Sequence, residues 1–153
     1  PVVIEVQRSF LNLRTITKRT EQYTKRDVAI LWLIPLKESL GTEYFRPRLF
    51  EKFIHIMYYG RVYFWEVGYG AKVMPVHFGY AELREKKTAG GYWKLFKTIR
   101  EPIMLENLLD ITKDFIIDPA DEWQPENEDL KVPKRLIFRD NHKEWWIDQA
   151  TRK

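Results

Sequence analysis

The chain has no cysteine, and its three histidines, His55, His77 and His142, are scattered. A disulfide scaffold and a cysteine-bound structural zinc are therefore excluded, and a site built from histidines alone is not expected. Long hydrophobic runs are also missing. A membrane span needs about 20 apolar residues, and Arg, Lys or Glu interrupts every such run within about ten. A soluble protein without a membrane partner is expected. The opening residues, Pro1-Val2-Val3-Ile4-Glu5, lack both an initiator Met and the basic, apolar, small-residue order of a signal peptide. They read as a chain that begins inside a strand.

What is present is core-forming. Of 153 residues 44% are hydrophobic, with 6 Trp, 8 Tyr and 9 Phe, so a substantial core can form and wholesale disorder is excluded. Charge is uneven: Arg8, Arg14, Lys18, Arg19, Lys25 and Arg26 face one acid, Glu21, whereas residues 114–129 carry seven acids and no base. The basic stretch suits an anionic partner such as a nucleic-acid backbone, or is simply a solvated helix face. The acidic band, with Pro119 and Pro125 inside it and Pro133 just after, reads as a linker or, alternatively, as a mimic of nucleic acid.

Hydrophobic spacing organises the first 80 residues. Val2–Val6 is β-branched and reads as a strand. Leu13, Ile16, Thr20 and Tyr23 recur at helical spacing, with Asn12 or Ser9 as the cap, so Leu13 to Arg26 is expected to be an amphipathic helix. The apolar run from Val28 to Ile34 suits a strand covered on both faces. Together these make one β-α-β unit. A second helix is expected around Leu49, Phe50, Phe53, Ile54 and Met57, stopped by Gly60, followed by a hairpin of Val62–Val67 and Lys72–Phe78 across Gly68-Tyr69-Gly70-Ala71. Beyond Gly79 the pattern weakens: 94–100 and 103–115 are expected to be helical, broken at Pro102, and 144–150 to form a short terminal helix.

The chemically informative segment is Ile4-Glu5-Val6-Gln7-Arg8-Ser9. Residues two apart in a strand share a face, so Glu5 and Gln7 lie side by side while Ile4 and Val6 are expected to enter the core opposite. A carboxylate in an apolar strand needs a partner, and a metal ion is one. Glu5 and the carbonyl of Val6 would supply hard oxygen ligands, with Gln7 positioning a water or a phosphate oxygen. By spacing alone, Glu-x-Gln reads better as a solvent-facing pair on an edge strand, and it is the order of strand, Glu-x-Gln, basic helix and apolar strand that favours the metal reading.

Glu5-Val6-Gln7-x-Ser9, with Arg19 and Tyr23 on the helix and Ile30-Leu31-Trp32-Leu33 on the next strand, resembles the nuclease segment of the competence protein CoiA family. That family lies in the PD-(D/E)XK, or restriction-endonuclease-like, superfamily. The resemblance continues through Leu49–Phe53 and Val62–Glu66. It implies an α/β fold, a mixed sheet flanked by helices, here incomplete on its N-terminal side. Residues 1–80 would be the nuclease-like part and 81–153 a C-terminal extension with the linker 114–129.

The resemblance also implies a probe for function. Glu5 and Gln7 would be catalytic, Glu5 and Val6 would bind Mg2+ or Mn2+, and Arg8, Ser9, Lys18, Arg19 and Tyr23 would contact nucleic acid or orient the site. Gln7 stands where many superfamily members have Lys, moving electrostatic work to the metal, Arg8 or Arg19. The superfamily's second acid, an Asp on a preceding strand, has no counterpart here, so a preceding segment or a companion chain is expected to supply it. The implied function is metal-dependent hydrolysis of DNA in bacterial DNA uptake or recombination, in the cytoplasm. The alternatives are a non-catalytic nucleic-acid-binding or adaptor module on the same fold, and an interaction subunit using Asp114 to Asp129.

Overall fold

The computed structural model describes residues 1–7, 11–36, 44–45, 47–68, 70–78, 81–100, 103–104, 108–124 and 130–142, with 44–45, 81–86, 93–100 and 103–104 described by their backbone. In chain order the elements are β1 (Val2–Val6), α1 (Leu13–Lys25), β2 (Ala29–Pro35), β3 (Tyr44–Phe45), α2 (Leu49–Met57), β4 (Val62–Trp65) and β5 (Lys72–His77). They continue with β6 (Ala81–Lys87), β7 (Trp93–Arg100), β8 (Ile103–Met104), β9 (Leu109–Asp110), β10 (Phe115–Ala120) and β11 (Arg135–Asp140). The fold is mixed α/β, as expected, and no helix among the described residues is long and apolar enough to cross a membrane.

An eight-stranded sheet is organised around β2. Every residue of β2 from Ala29 to Ile34 is buried, which is why an unbroken apolar run serves there. Strand β1 runs parallel along one side of it, from Val2 opposite Ala29 to Val6 opposite Leu33. The other side is shared. Strand β11 pairs in parallel at Ile30, and β4 pairs in parallel from Leu33 to Pro35. Between them the buried Tyr58 hydroxyl accepts from the Trp32 amide (3.1 Å) and donates to the Ile30 carbonyl (2.6 Å), satisfying backbone groups where the sheet forks.

Local chemistry sets the helix ends. The Asn12 side chain accepts from the Thr15 amide at 2.8 Å and starts α1. At the start of α2, Glu51 accepts from the Arg48 amide (2.8 Å), and beyond its end Gly60 takes φ +94°, a conformation that favours glycine.

Several expectations are corrected by the structure. Ile4 and Val6 do not enter a core: they are 45% and 43% exposed, with Val2 beside them. Among the described residues β1 pairs with β2 alone and is a sheet edge, with α1 reaching its Glu5 face. Residues 94–100 are strand β7 rather than helix, paired with β6 in register from Lys87 opposite Trp93 to Ala81 opposite Ile99. The turn between them is closed by Thr88 and Tyr92 around Gly90-Gly91, a hairpin signal that outweighs weak helical spacing.

The described residues of 103–115 form no helix either, but β8, β9 and a turn. There Asp110 accepts from the Thr112 amide (2.9 Å) and hydroxyl (2.6 Å), local bonds that compete with a helix. Within the acidic band, 115–120 is strand β10, paired antiparallel with β11, not linker. Phe115 and Ala120 are buried, and Asp118 is neutralised by Arg139 at 2.8 Å. Hydrogen-bonded pairing of β10, β11 and β2 therefore joins residues before and after position 80 in one sheet. The 144–150 segment lies outside the described residues.

A buried polar cluster ties the two ends of the sheet's sequence together. Arg61 donates to both carboxylate oxygens of Asp140, and the Tyr63 hydroxyl donates to the same carboxylate at 2.7 Å. Burial, and then the Asp140 charge, push the Tyr63 phenol well above its usual range. Arg135 donates to the Met57 carbonyl through Nε (3.0 Å) and Nη2 (2.8 Å), anchoring β11 to the end of α2.

Candidate functional site

Glu5 is the fourth residue of β1, opposite Trp32, on the face that α1 reaches. Residues 19 and 23 of α1 are four apart and share the helix side turned to that strand. The Tyr23 hydroxyl donates to Glu5 Oε1 at 2.8 Å, and Arg19 Nη1 lies 3.8 Å from Glu5 Oε2. Gln7 follows just after β1 on the same face and is buried, its backbone N–H donating to the Leu33 carbonyl at 2.8 Å. Four of the residues singled out from the sequence, Glu5, Gln7, Arg19 and Tyr23, are thus gathered along one sheet edge and one helix face.

The site is partly open. Glu5 is 23% exposed and Arg19 45%, so their ion pair is screened by water and holds geometry more than it adds stability. The Tyr23 phenol is raised above its ordinary range, first by its hydrogen bond to Glu5 and then by burial. It remains a donor throughout the neutral range.

Other expected site residues fall elsewhere. Lys18 is exposed and leaves α1 about 100° around the axis from Arg19, away from Glu5. The Val6 side chain turns to solvent on the opposite face. Arg8 and Ser9 lie outside the described residues. Thr20 and Trp32, both in apolar patterns of the sequence, are fully buried, and Thr20 Oγ1 and Trp32 Nε1 have no hydrogen-bond partner among the described residues. The helical spacing of Leu13, Ile16, Thr20 and Tyr23 and the unbroken apolar run of β2 account for their burial.

A divalent hard cation takes several oxygen ligands. Glu5, the Gln7 amide and the Val6 carbonyl are donors of the right kind, but they include one carboxylate. Among the described residues no group of three or more His, Cys, Asp or Glu could hold a metal ion. The set offers a single carboxylate, and both of its oxygens already have partners.

A mixed α/β sheet flanked by helices, with Glu5 and Gln7 on an edge strand beneath a basic helix, is consistent with a restriction-endonuclease-like domain. Residues 1–67 match the family model described as competence protein CoiA, nuclease-like domain. Over that segment, from β1 to just past β4, the chain is CoiA-like and nuclease-like. Comparison with curated proteins and with solved structures gives no match.

Proposed function

We propose that the chain acts on DNA through this nuclease-like domain, hydrolysing phosphodiester bonds in a cytoplasmic, competence-related pathway of DNA uptake or recombination. The observation that carries the reading is the cluster of Glu5, Tyr23 and Arg19 inside the matched segment. Glu5, the Val6 carbonyl and Gln7 would contribute to holding Mg2+ or Mn2+, which when bound would activate water and neutralise phosphate charge. A second acid, from a segment or companion chain lying along the free edge of β1, would complete the set. Tyr23 orients the Glu5 carboxylate, and Arg19 is near enough to turn its guanidinium to a phosphate.

The test is cleavage of single- and double-stranded DNA with magnesium or manganese by the protein as it occurs naturally and by its Glu5→Ala and Glu5→Gln variants. Loss of cleavage in both variants, with the fold retained, is expected. Equal activity in all three sinks the catalytic assignment.

A second reading has its own support, because the partnered Glu5 oxygens and the single carboxylate also suit a binding or adaptor module. In that case DNA affinity is salt-dependent and indifferent to both chelation and Glu5→Ala.

A further inference from the structure

The flank of α1 facing away from Glu5 borders a cavity of about 550 Å3. Thr17, Glu21, Thr24 and Lys25 form one wall, and Glu122, Lys131, Pro133 and Lys134 form the other. The second wall comes from the two described ends of the connection between β10 and β11, well beyond residues 1–67. Three lysines from two distant parts of the chain therefore converge on one open cleft.

Outside the cleft the helix continues the same charge. Arg14, Lys18 and Lys25 fall within about 40° of arc on a helix of 3.6 residues per turn, and all three are exposed. Among the described residues neither they nor Lys134 form an ion pair, while Lys131 meets Glu122 at 3.5 Å across two exposed side chains. The stripe from Arg14 to Lys25 is about 16 Å long at 1.5 Å per residue. That length covers several phosphates, since one strand of a duplex presents a phosphate roughly every 3.4 Å of axis.

We infer that the cleft between α1 and residues 131–134, with the Arg14–Lys18–Lys25 stripe leading into it, is a second nucleic-acid contact that grips a strand by its phosphates. This inference rests on the proposed action on DNA and adds to it a surface to which the C-terminal part contributes. The shape favours a threadlike polyanion over a membrane, because the cations line a concave cleft, and Glu21 and Glu122 stand among them where a flat anionic bilayer would meet them. The hydroxyl of Thr17 adds a neutral donor suited to a phosphate oxygen. Thr24 is not counted as a donor, because its hydroxyl already donates to the Thr20 carbonyl and accepts from the Leu136 amide. Glu122 would act against the phosphates and restrain Lys131, so its charge weakens binding.

The experiment is a titration of the whole chain against a labelled single-stranded oligonucleotide, read by fluorescence anisotropy at several salt concentrations. Wild type is compared with the triple variant Lys25→Ala/Lys131→Ala/Lys134→Ala and with Glu122→Gln, and thermal midpoints check the fold. All substituted side chains are exposed. The triple variant should bind at least tenfold more weakly at low salt, and the slope of log affinity against log salt should fall by about two, from three contacts worth about 0.7 each on single strands. Glu122→Gln should bind more tightly.

If wild type binds DNA and the triple variant keeps its affinity and slope, the cleft is not the contact, and the proposed function survives. Wild type that binds no DNA overturns both. Binding to vesicles of anionic phospholipid but not to DNA overturns the inference in favour of a membrane surface. Should the triple variant lose its fold, the Glu122→Gln result decides, and unchanged or weaker binding there counts against the cleft.

Discussion

The Tyr23 hydroxyl donates a 2.8 Å hydrogen bond to Glu5 Oε1, so the carboxylate of an edge strand is held by a residue of the helix that covers it. Tyr23→Phe keeps the ring and removes the donor. The expected cost to stability is about 1 kcal/mol, the usual net worth of one hydrogen bond. If Glu5 carries the proposed chemistry, cleavage should fall by more than this stability loss explains. Denaturant midpoints measured beside cleavage rates check it, and parallel small changes in both would reduce Tyr23 to a packing residue.

The fork in the sheet depends on Tyr58. Its hydroxyl serves the Trp32 amide and the Ile30 carbonyl, and it is fully buried. Tyr58→Phe would leave both backbone groups without this partner, at an expected cost of about 1–3 kcal/mol. Faster amide exchange at Trp32 is the residue-level sign. Burial also raises the Tyr58 phenol far above its usual value of about 10. A raised folded-state value contributes stability that is complete below the unfolded value and lost as pH rises. Wild type should therefore lose more stability than Tyr58→Phe on going from pH 9 to pH 11.

Asp140 joins β11 to Tyr63 in β4 and to Arg61 just before it. Asp140→Ala removes the carboxylate from a buried guanidinium, and the expected loss is about 3–5 kcal/mol. A fragment of residues 1–67 should show no cooperative thermal transition, since β2 would lose β11 and Arg61 would lose Asp140. A sharp transition in that fragment would show that the matched segment folds alone.

His55 Nε2 accepts from the Phe78 amide at 3.1 Å, and the His55 ring stacks on the Phe78 ring with centroids 4.7 Å apart. An accepting Nε2 must be unprotonated. Burial, followed by the charge of His77, pushes the His55 value well below the ordinary range. For a histidine lowered in this way, the stability it contributes is present above the unfolded value of about 6.5 and is lost as pH falls. The urea midpoint of wild type should drop between pH 7.5 and 5.5, and His55→Gln should drop less. Equal drops would place the acid sensitivity elsewhere.

Much of the site could be read along the chain. Glu5 and Gln7 share a strand face because side chains alternate, and Arg19 and Tyr23 share a helix face because they are four apart. Asn12 capped the helix where its side-chain chemistry called for it. The failures have a common cause. Segments 94–100 and 103–115 have weak periodicity, and their state was decided by partners: β6 across a Gly-Gly turn, and β5 against both β8 and β9. That the Glu5 face offers a single carboxylate was visible as well, since one acid in a strand is a local fact.

Chain order and spacing alone therefore establish the strand, basic helix and apolar strand, and the pairing of Glu5 with Gln7 on one face, because periods of 2 and 3.6 are properties of neighbouring residues. Tertiary structure decided that β1 is an edge, that Ile4 and Val6 look outward, and that β11 comes back to lie beside β2 with Asp140 against Arg61. Those outcomes rest on which surfaces bury one another across more than a hundred residues, from β2 to β11. No local pattern encodes such a choice, since it is made by the free energy of the whole packed sheet.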